Sequence, residues 1–263
     1  MKRKIAFLLC LIMMVVMAVP AMAVNTKNTD LDHYKYMNVY SIDGEKYVKP
    51  DQPITRAEAA FAVFNLLNNN KKNVPPSGAP EFSDVPADHP YHKQITFLAH
   101  REFLTGYPDG TFQPDGYLTR AEFAEIIVRS QKLVRKENVM LAPDIGGHWA
   151  MGSINSCITR KYMNGYPDGT FQPDGTITRA EVAATMNRIY NRELDTETPI
   201  RNVTLIDNIT KQYVKPYDFY QVFEDLPEDH WAYDDMMEAC VSHRIFWDDI
   251  GMREIWIREL VDK

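Results

Sequence analysis

From its sequence this chain is expected to be mainly α-helical: a pseudo-threefold assembly of three helix-loop-helix repeats, with short β-hairpins near 36–50 and 202–216. Three observations carry that expectation. The stretch Gly106 to Gly116 recurs unchanged at Gly165 to Gly175. A Thr-Arg-Ala-Glu tetrad starts at Thr55, Thr119 and Thr178, a spacing close to 60 residues. A second element, Phe82-Ser83-Asp84-Val85 leading to His89, returns as Pro143-Asp144-Ile145 before His148-Trp149-Ala150 and as Phe223-Glu224-Asp225-Leu226 before His230-Trp231-Ala232. Self-similarity at a fixed period of this size marks units that bury their apolar faces against one another.

The order of the halves predicts closure. The chain reads as a tetrad half at 40–70, full repeats at 81–133 and 141–194, an inserted hairpin at 195–221, and a His-Trp-Ala half with a C-terminal tail at 222–263. Two full repeats and two halves make three units if the ends meet. Closure of this kind would set the helix after Thr55 beside the helix after His230. Before these units, Lys2-Arg3-Lys4, the apolar run Ile5–Val19 and Ala21-Met22-Ala23 have the form of a cleaved secretory leader, 1–23, followed by an N-terminal segment at 24–39. Its apolar run is shorter than the ~20 residues of a membrane span.

Composition limits the function classes. The chain is 45% hydrophobic and 25% charged, which suits a soluble globular protein rather than a disordered one. Removing 1–23 takes away three basic residues and leaves 26 Lys and Arg against 36 Asp and Glu, or −10. That balance argues against nucleic acid as a partner, and after leader cleavage no membrane partner is expected. Cys157 and Cys240 could form one disulfide, but both fall in helical patterns and read as buried free thiols.

Taken along the chain, the first hairpin signal is Ile42-Asp43-Gly44 between alternating residues, and a related pattern surrounds Ile206-Asp207-Asn208. Each tetrad opens an apolar-spaced helix: Phe61 and Phe64, Phe123 and Ile127, Val182 and Met186. Thr-x-x-Glu is a capping box, so Thr55, Glu58, Thr119, Glu122, Thr178 and Glu181 are assigned to helix capping. The Tyr-Pro-Asp-Gly stretches read as turns. Asp109, Asp115, Asp168 and Asp174 lack the spacing and closing Glu of a calcium loop, and His89, His148 and His230 read as structural rather than as zinc ligands. No metal, cofactor or catalytic constellation is expected. Asn202 and Asn208 begin glycosylation sequons.

The tetrad arginines Arg56, Arg120 and Arg179 are the anomaly. A cation at the first helical position opposes the helix dipole at roughly 0.3–1 kcal/mol. Two readings stand open: a paired carboxylate offsets the cost, or Arg and free first-turn N–H groups bind an external anion. Trp149 and Trp231 likewise read either as core or as platforms for a sugar ring.

The ordered set Phe-x-Asp-Val, His-Trp-Ala, Gly-Tyr-Pro-Asp-Gly-Thr-Phe-Gln-Pro and Ile-Thr-Arg-Ala-Glu resembles S-layer homology repeats over about 40–194 and 222–247. The resemblance implies a secreted protein held noncovalently on the bacterial cell wall, binding a pyruvylated secondary cell-wall polysaccharide in grooves between prongs; such anchors often carry a separate catalytic domain, but here the repeats take up nearly all the residues, so no enzyme is expected. By motif match it implies glycan contacts at Arg56, Arg120 and Arg179, and more weakly at Trp149, Trp231, Asp109, Gly110, Asp168 and Gly169. The alternative is a structural S-layer protein that uses the fold for contacts with other S-layer proteins. Three departures stand out: His89-Pro90-Tyr91 lacks the Trp, one unit is split between the ends, and the stretch after Arg244 lacks the Gly-Tyr-Pro-Asp-Gly loop.

Overall fold

A computed structural model describes residues 31–67, 78–192, 205–206, 213–214, 223–248 and 253–259. The leader expected at 1–23, most of the 195–221 insert and both sequons lie outside them.

Short strands β1 (Leu31–His33), β2 (Tyr40–Ile42) and β3 (Glu45–Tyr47) come first, followed by α1 (Arg56–Leu66) and α2 (His92–His100). Then come α3 (Arg120–Ser130), α4 (Met151–Thr159) and α5 (Arg179–Tyr190). The remainder is β4 (Leu205–Ile206), β5 (Tyr213–Val214), α6 (Tyr233–Cys240), β6 (His243–Asp248) and β7 (Arg253–Glu259). Both hairpins are present: β2 pairs antiparallel with β3, and β4 with β5. In the first, Asp43 and Gly44 both have positive φ (52° and 89°), the pattern of a type I′ turn.

α1, α3 and α5 start identically. Thr55, Thr119 and Thr178 each accept from the backbone N–H of the Glu three residues on, and that Glu accepts from the Thr N–H, so all three capping boxes are complete. α1 packs on α2, α3 on α4, and α5 on α6. Each tetrad helix therefore takes as its main partner the helix that follows it. The helix after Thr55 sits on the helix after His89, and not primarily on the one after His230. The apolar stripes of these pairs merge into one core that includes Phe64, Leu98, Phe123, Ile154, Met186 and Met236.

Three backbone hydrogen bonds link the tetrad segments in a ring: Ile54 N–H to the Ile177 carbonyl (3.0 Å), Ile177 N–H to Leu118 (2.9 Å), and Leu118 N–H to Ile54 (3.1 Å). These side chains are at most 1% exposed. A wider circuit surrounds the ring. The Arg56, Arg120 and Arg179 N–H groups donate to the carbonyls of Gly116, Gly175 and Gln52. The Ala57, Ala121 and Ala180 N–H groups donate to Pro114, Pro173 and Pro50.

The acidic residue of the second element fastens each loop. Asp84 accepts from Phe112 and Gln113 N–H, and Asp144 from Phe171 and Gln172 N–H. Asp225 accepts from Val48 and Lys49 N–H at 2.8 and 2.7 Å, across 177 and 176 residues. The early loop and the late Phe-Glu-Asp element are thus bonded as the other two pairs are.

The C-terminal stretch forms a three-stranded sheet in the order β1-β6-β7. This differs from the tail expected there. The N-terminal segment that supplies β1 continues across α6, with Tyr36 and Met37 N–H both donating to the Ala239 carbonyl. The Tyr36 hydroxyl donates to the Asn187 amide oxygen at 2.5 Å.

Candidate functional site

The tetrad arginines project from the starts of α1, α3 and α5 into the neighbouring loop. Arg56 donates from Nε to the Phe112 carbonyl (2.9 Å), from one terminal nitrogen to Thr105 O (2.9 Å) and from the other to Glu122 (3.2 Å). Arg120 repeats this with Phe171 O, Asn164 O and Glu181 at 2.8, 2.8 and 2.6 Å. Arg179 donates to Val48 O, Asn38 O and the Tyr40 hydroxyl, with Glu58 at 3.5 Å. The guanidinium groups stack over Tyr107, Tyr166 and Tyr40 at 4.9, 4.6 and 5.0 Å from the ring centres.

These contacts give each guanidinium the carboxylate partner that offsets the dipole cost. Each Arg meets the capping Glu of the next tetrad in cyclic order: Arg56 with Glu122, Arg120 with Glu181, Arg179 with Glu58. One Glu oxygen caps its own helix while the other faces a cation. The first-turn N–H groups are not free for an anion either. The first two go to loop carbonyls and the third to the Thr hydroxyl. Arg56, Arg120 and Arg179 are only 8, 4 and 1% exposed.

An open cleft of about 160 Å³ nevertheless lies beside the first of them. Arg56, Thr105, Tyr107, Glu122, Arg129 and Trp149 line it, together with Glu125. Trp149 is 64% exposed, and Trp231, at the matching place in its repeat, 60%; neither belongs to the core. Glu125, on α3 and facing α4, takes hydrogen bonds at 2.5 Å from Arg129 Nε, Arg135 and Ser153 Oγ. Burial works to raise the Glu125 carboxyl, but the donors Arg135, Ser153 and Arg129 outweigh it and hold it down to about 2.

The turn residues do structural work. Asp109 and Asp168 accept from the N–H and hydroxyl of Thr111 and Thr170, which lowers both carboxyls. Gly110 and Gly169 hold φ of +81° and +85° at the turn exit. His148 and His230 accept from Ala150 and Ala232 N–H through Nδ1, closing the starts of α4 and α6. Their Nε2 atoms lie 3.2 Å from Asp174 and Asp51. No group of three or more His, Cys, Asp or Glu able to hold a metal occurs among the described residues. Cys157 and Cys240 are free and buried, and burial pushes both thiols up to about 12.

The sequence reading singled out Trp149 and Arg56 but not Tyr107, Glu125 or Arg129. A signal existed: Tyr follows Gly in both loop copies, and Arg129 and Arg188 each stand nine residues after a tetrad Arg.

Comparison with known families adds the decisive match: the model of the S-layer homology domain matches residues 81–124 and 143–183. The chain carries S-layer homology domains. The chain is similar to the cellulosome-anchoring protein of Acetivibrio thermocellus, with 33% identity over 217 residues, covering 81% of the chain and 44% of that protein. It is similar to cell surface glycoprotein 1 of the same organism, with 32% identity over 229 residues, covering 83% of the chain and 9% of that protein. Similarity to the S-layer protein EA1 of Bacillus anthracis is 30% over 152 residues, 57% of the chain and 15% of that protein. The chain thus spans less than half the length of these relatives. Within it, the S-layer homology matches cover α2, α4, the loops that hold Arg56 and Arg120, and the first turns of α3 and α5.

Proposed function

We propose that this chain is a non-enzymatic anchor at the bacterial cell surface, secreted by its leader, that holds on to the wall by binding an anionic polysaccharide. The carrying observation is the cleft in which solvent-exposed Trp149 stands beside Arg56 and Arg129. An indole face suits the apolar face of a sugar ring, and a guanidinium fork suits a carboxylate such as a pyruvate ketal. Arg56 lines this cleft together with Trp149, and Arg120 and Trp231 hold the matching motif positions of the following repeat. Arg179 belongs to the third, where Pro90 takes the Trp position. The anchoring and S-layer names of the relatives agree with this reading.

The same reading takes the three units to be arranged about a pseudo-threefold axis, one of them divided between 40–70 and 222–247. The ring through Ile54, Leu118 and Ile177 and the Asp225 bonds to Val48 and Lys49 support it.

The test is sedimentation of the mature chain with native and with depyruvylated wall polysaccharide. Binding is expected to native material alone, and to fall at least tenfold in the Trp149→Ala, Trp231→Ala double variant, the loss of two stacking contacts of about 1 kcal/mol or more each. Equal binding to both materials would overturn the carboxylate assignment. A second reading, assembly with other S-layer proteins, is favoured by exposed Val134, Val139, Met140 and Leu141 on the loop between α3 and α4. Self-assembly in the absence of polysaccharide would support it.

A further inference from the structure

The surroundings of Arg179 follow the plan of the open cleft around Arg56, and the match can be traced bond by bond. Arg179 donates to the Asn38 carbonyl as Arg56 does to Thr105. It stacks on Tyr40 as Arg56 does on Tyr107, and faces Glu58 as Arg56 faces Glu122. The opposite wall matches too. His89 and His148 each accept through Nδ1 from the N–H two residues on, which puts Tyr91 at the start of α2 where Ala150 stands at the start of α4. α2 packs on α1, which carries Glu58, as α4 packs on α3, which carries Glu122. The filling differs. Ala150 is buried and ends at its methyl group, while its neighbour Trp149 and the facing Thr105 line the open cleft. Tyr91 reaches further. Its hydroxyl accepts from the Asn38 side-chain amide at 2.6 Å, and its ring meets Phe61 edge-on at 5.7 Å. Phe61 holds the place of Glu125, three residues after the capping Glu of its helix.

We propose that Tyr91 closes the Arg179 cleft from within, so that the unit divided between the two ends of the chain is shut to the anionic saccharide that the Arg56 cleft takes. This rests on the anchoring reading above. The bond from Asn38 to Tyr91 joins the loop on one side to the helix start on the other, whereas Thr105 and Trp149 border open space between the same elements of the Arg56 cleft. The Tyr91 hydroxyl lies among the charges of its cleft. Burial pushes it up, the Asn38 amide draws it down, Glu58 pushes it up again and Arg179 draws it down. The Tyr40 hydroxyl fills the gap behind it, accepting from Arg179 at 3.0 Å and donating to Glu58. Asn38 thus holds Arg179 through its carbonyl and Tyr91 through its amide. Exposed Pro90, at the Trp149 position, offers a sugar ring no indole face. A saccharide enters here only by breaking the Asn38 bond and lifting a half-buried ring from Phe61, a cost that the Arg56 cleft does not impose.

Backbone amide NMR of the mature chain, with and without a pyruvylated fragment of wall polysaccharide, tests the closure. In the unmodified chain the amides of Thr105, Gly106 and Tyr107 are expected to shift on adding the fragment, and those of Asn38, Val39 and Tyr40 to stay in place. In the Pro90→Trp, Tyr91→Ala double variant, which restores the residues found in the other two units, both sets are expected to shift. Tyr91→Ala alone is the milder change, because Ala is buried at this place in both other units. It is expected to give the Asn38–Tyr40 shifts at higher fragment concentration, for want of the indole. Shifts of Asn38–Tyr40 in the unmodified chain, or their absence in a variant that melts like the parent, would overturn the proposal. An unmodified chain in which no amide moves would instead overturn the anchoring reading on which it rests.

Discussion

Arg120 shows how one side chain can serve fold and site together. It is 4% exposed, stacks on Tyr166 and satisfies two carbonyls and Glu181. Arg120→Ala strips partners from all three acceptors, and is expected to cost roughly 2–4 kcal/mol in urea unfolding, below the full buried-pair figure because Glu181 keeps some exposure. Any loss of polysaccharide binding in that variant must therefore be judged at equal folded fraction. Glu125 gives a prediction in pH. Its folded carboxyl lies near 2 against an ordinary 4.5, so its contribution is present above about 4.5 and is lost as pH falls towards 2. Glu125→Gln is expected to flatten that part of the melting-temperature profile, and an identical profile would refute the assignment. The oddity of Arg at a helix start was visible in the sequence. Its partner was not, because the carboxylate comes from another tetrad, about 60 or more residues away, in a cyclic order that only the folded chain reveals.

Elements were legible where their causes are local. Thr-x-x-Glu, Asp43-Gly44 and the apolar spacing each act within a few residues, and the three boxes and the first hairpin formed where those signals lie. The β1-β6-β7 sheet was not legible, although Arg253–Glu259 alternates in a strand-like way, because β1 pairs with a strand more than 200 residues away. The loop copies also contain a steric rule. A Cβ on Gly106 would lie 2.4 Å from the Phe82 ring and 2.6 Å from the Thr111 carbonyl oxygen. The ring can turn aside but the carbonyl cannot, so Gly106→Ala is expected to cost about 1–3 kcal/mol in chemical denaturation. An unchanged midpoint would show that the loop yields. In the first unit Val39 stands at this place, where a hairpin replaces the tight loop.

At the scale of the whole molecule, each helix packs chiefly on its neighbour in the chain, while backbone hydrogen bonds tie distant segments together. Helix pairs join one motif copy to the next, so the sequence units and the packed pairs are out of phase, and the placement expected for the helix after Thr55 missed this. Asp225 is one of the groups that tie an early loop to a late element. Asp225→Ala removes the acceptor for Val48 and Lys49 N–H, and is expected to speed hydrogen exchange at those two amides at least tenfold, about the worth of one lost charge-assisted bond. Unchanged exchange there would mean that the ends hold together without it.

The ring through Ile54, Leu118 and Ile177 has a topological consequence. Each member gives one bond and takes one, so the ring has no first member and does not record where the backbone begins. β1 and β7 flank β6 in one sheet, so a linker between the first and last strands has to cross a single strand. A circularly permuted chain, opened between 133 and 141 and joined there, should rebuild the same three amide protections. The serial order of the three tetrads belongs to the gene, while the three bonds among them are indifferent to which tetrad is translated first.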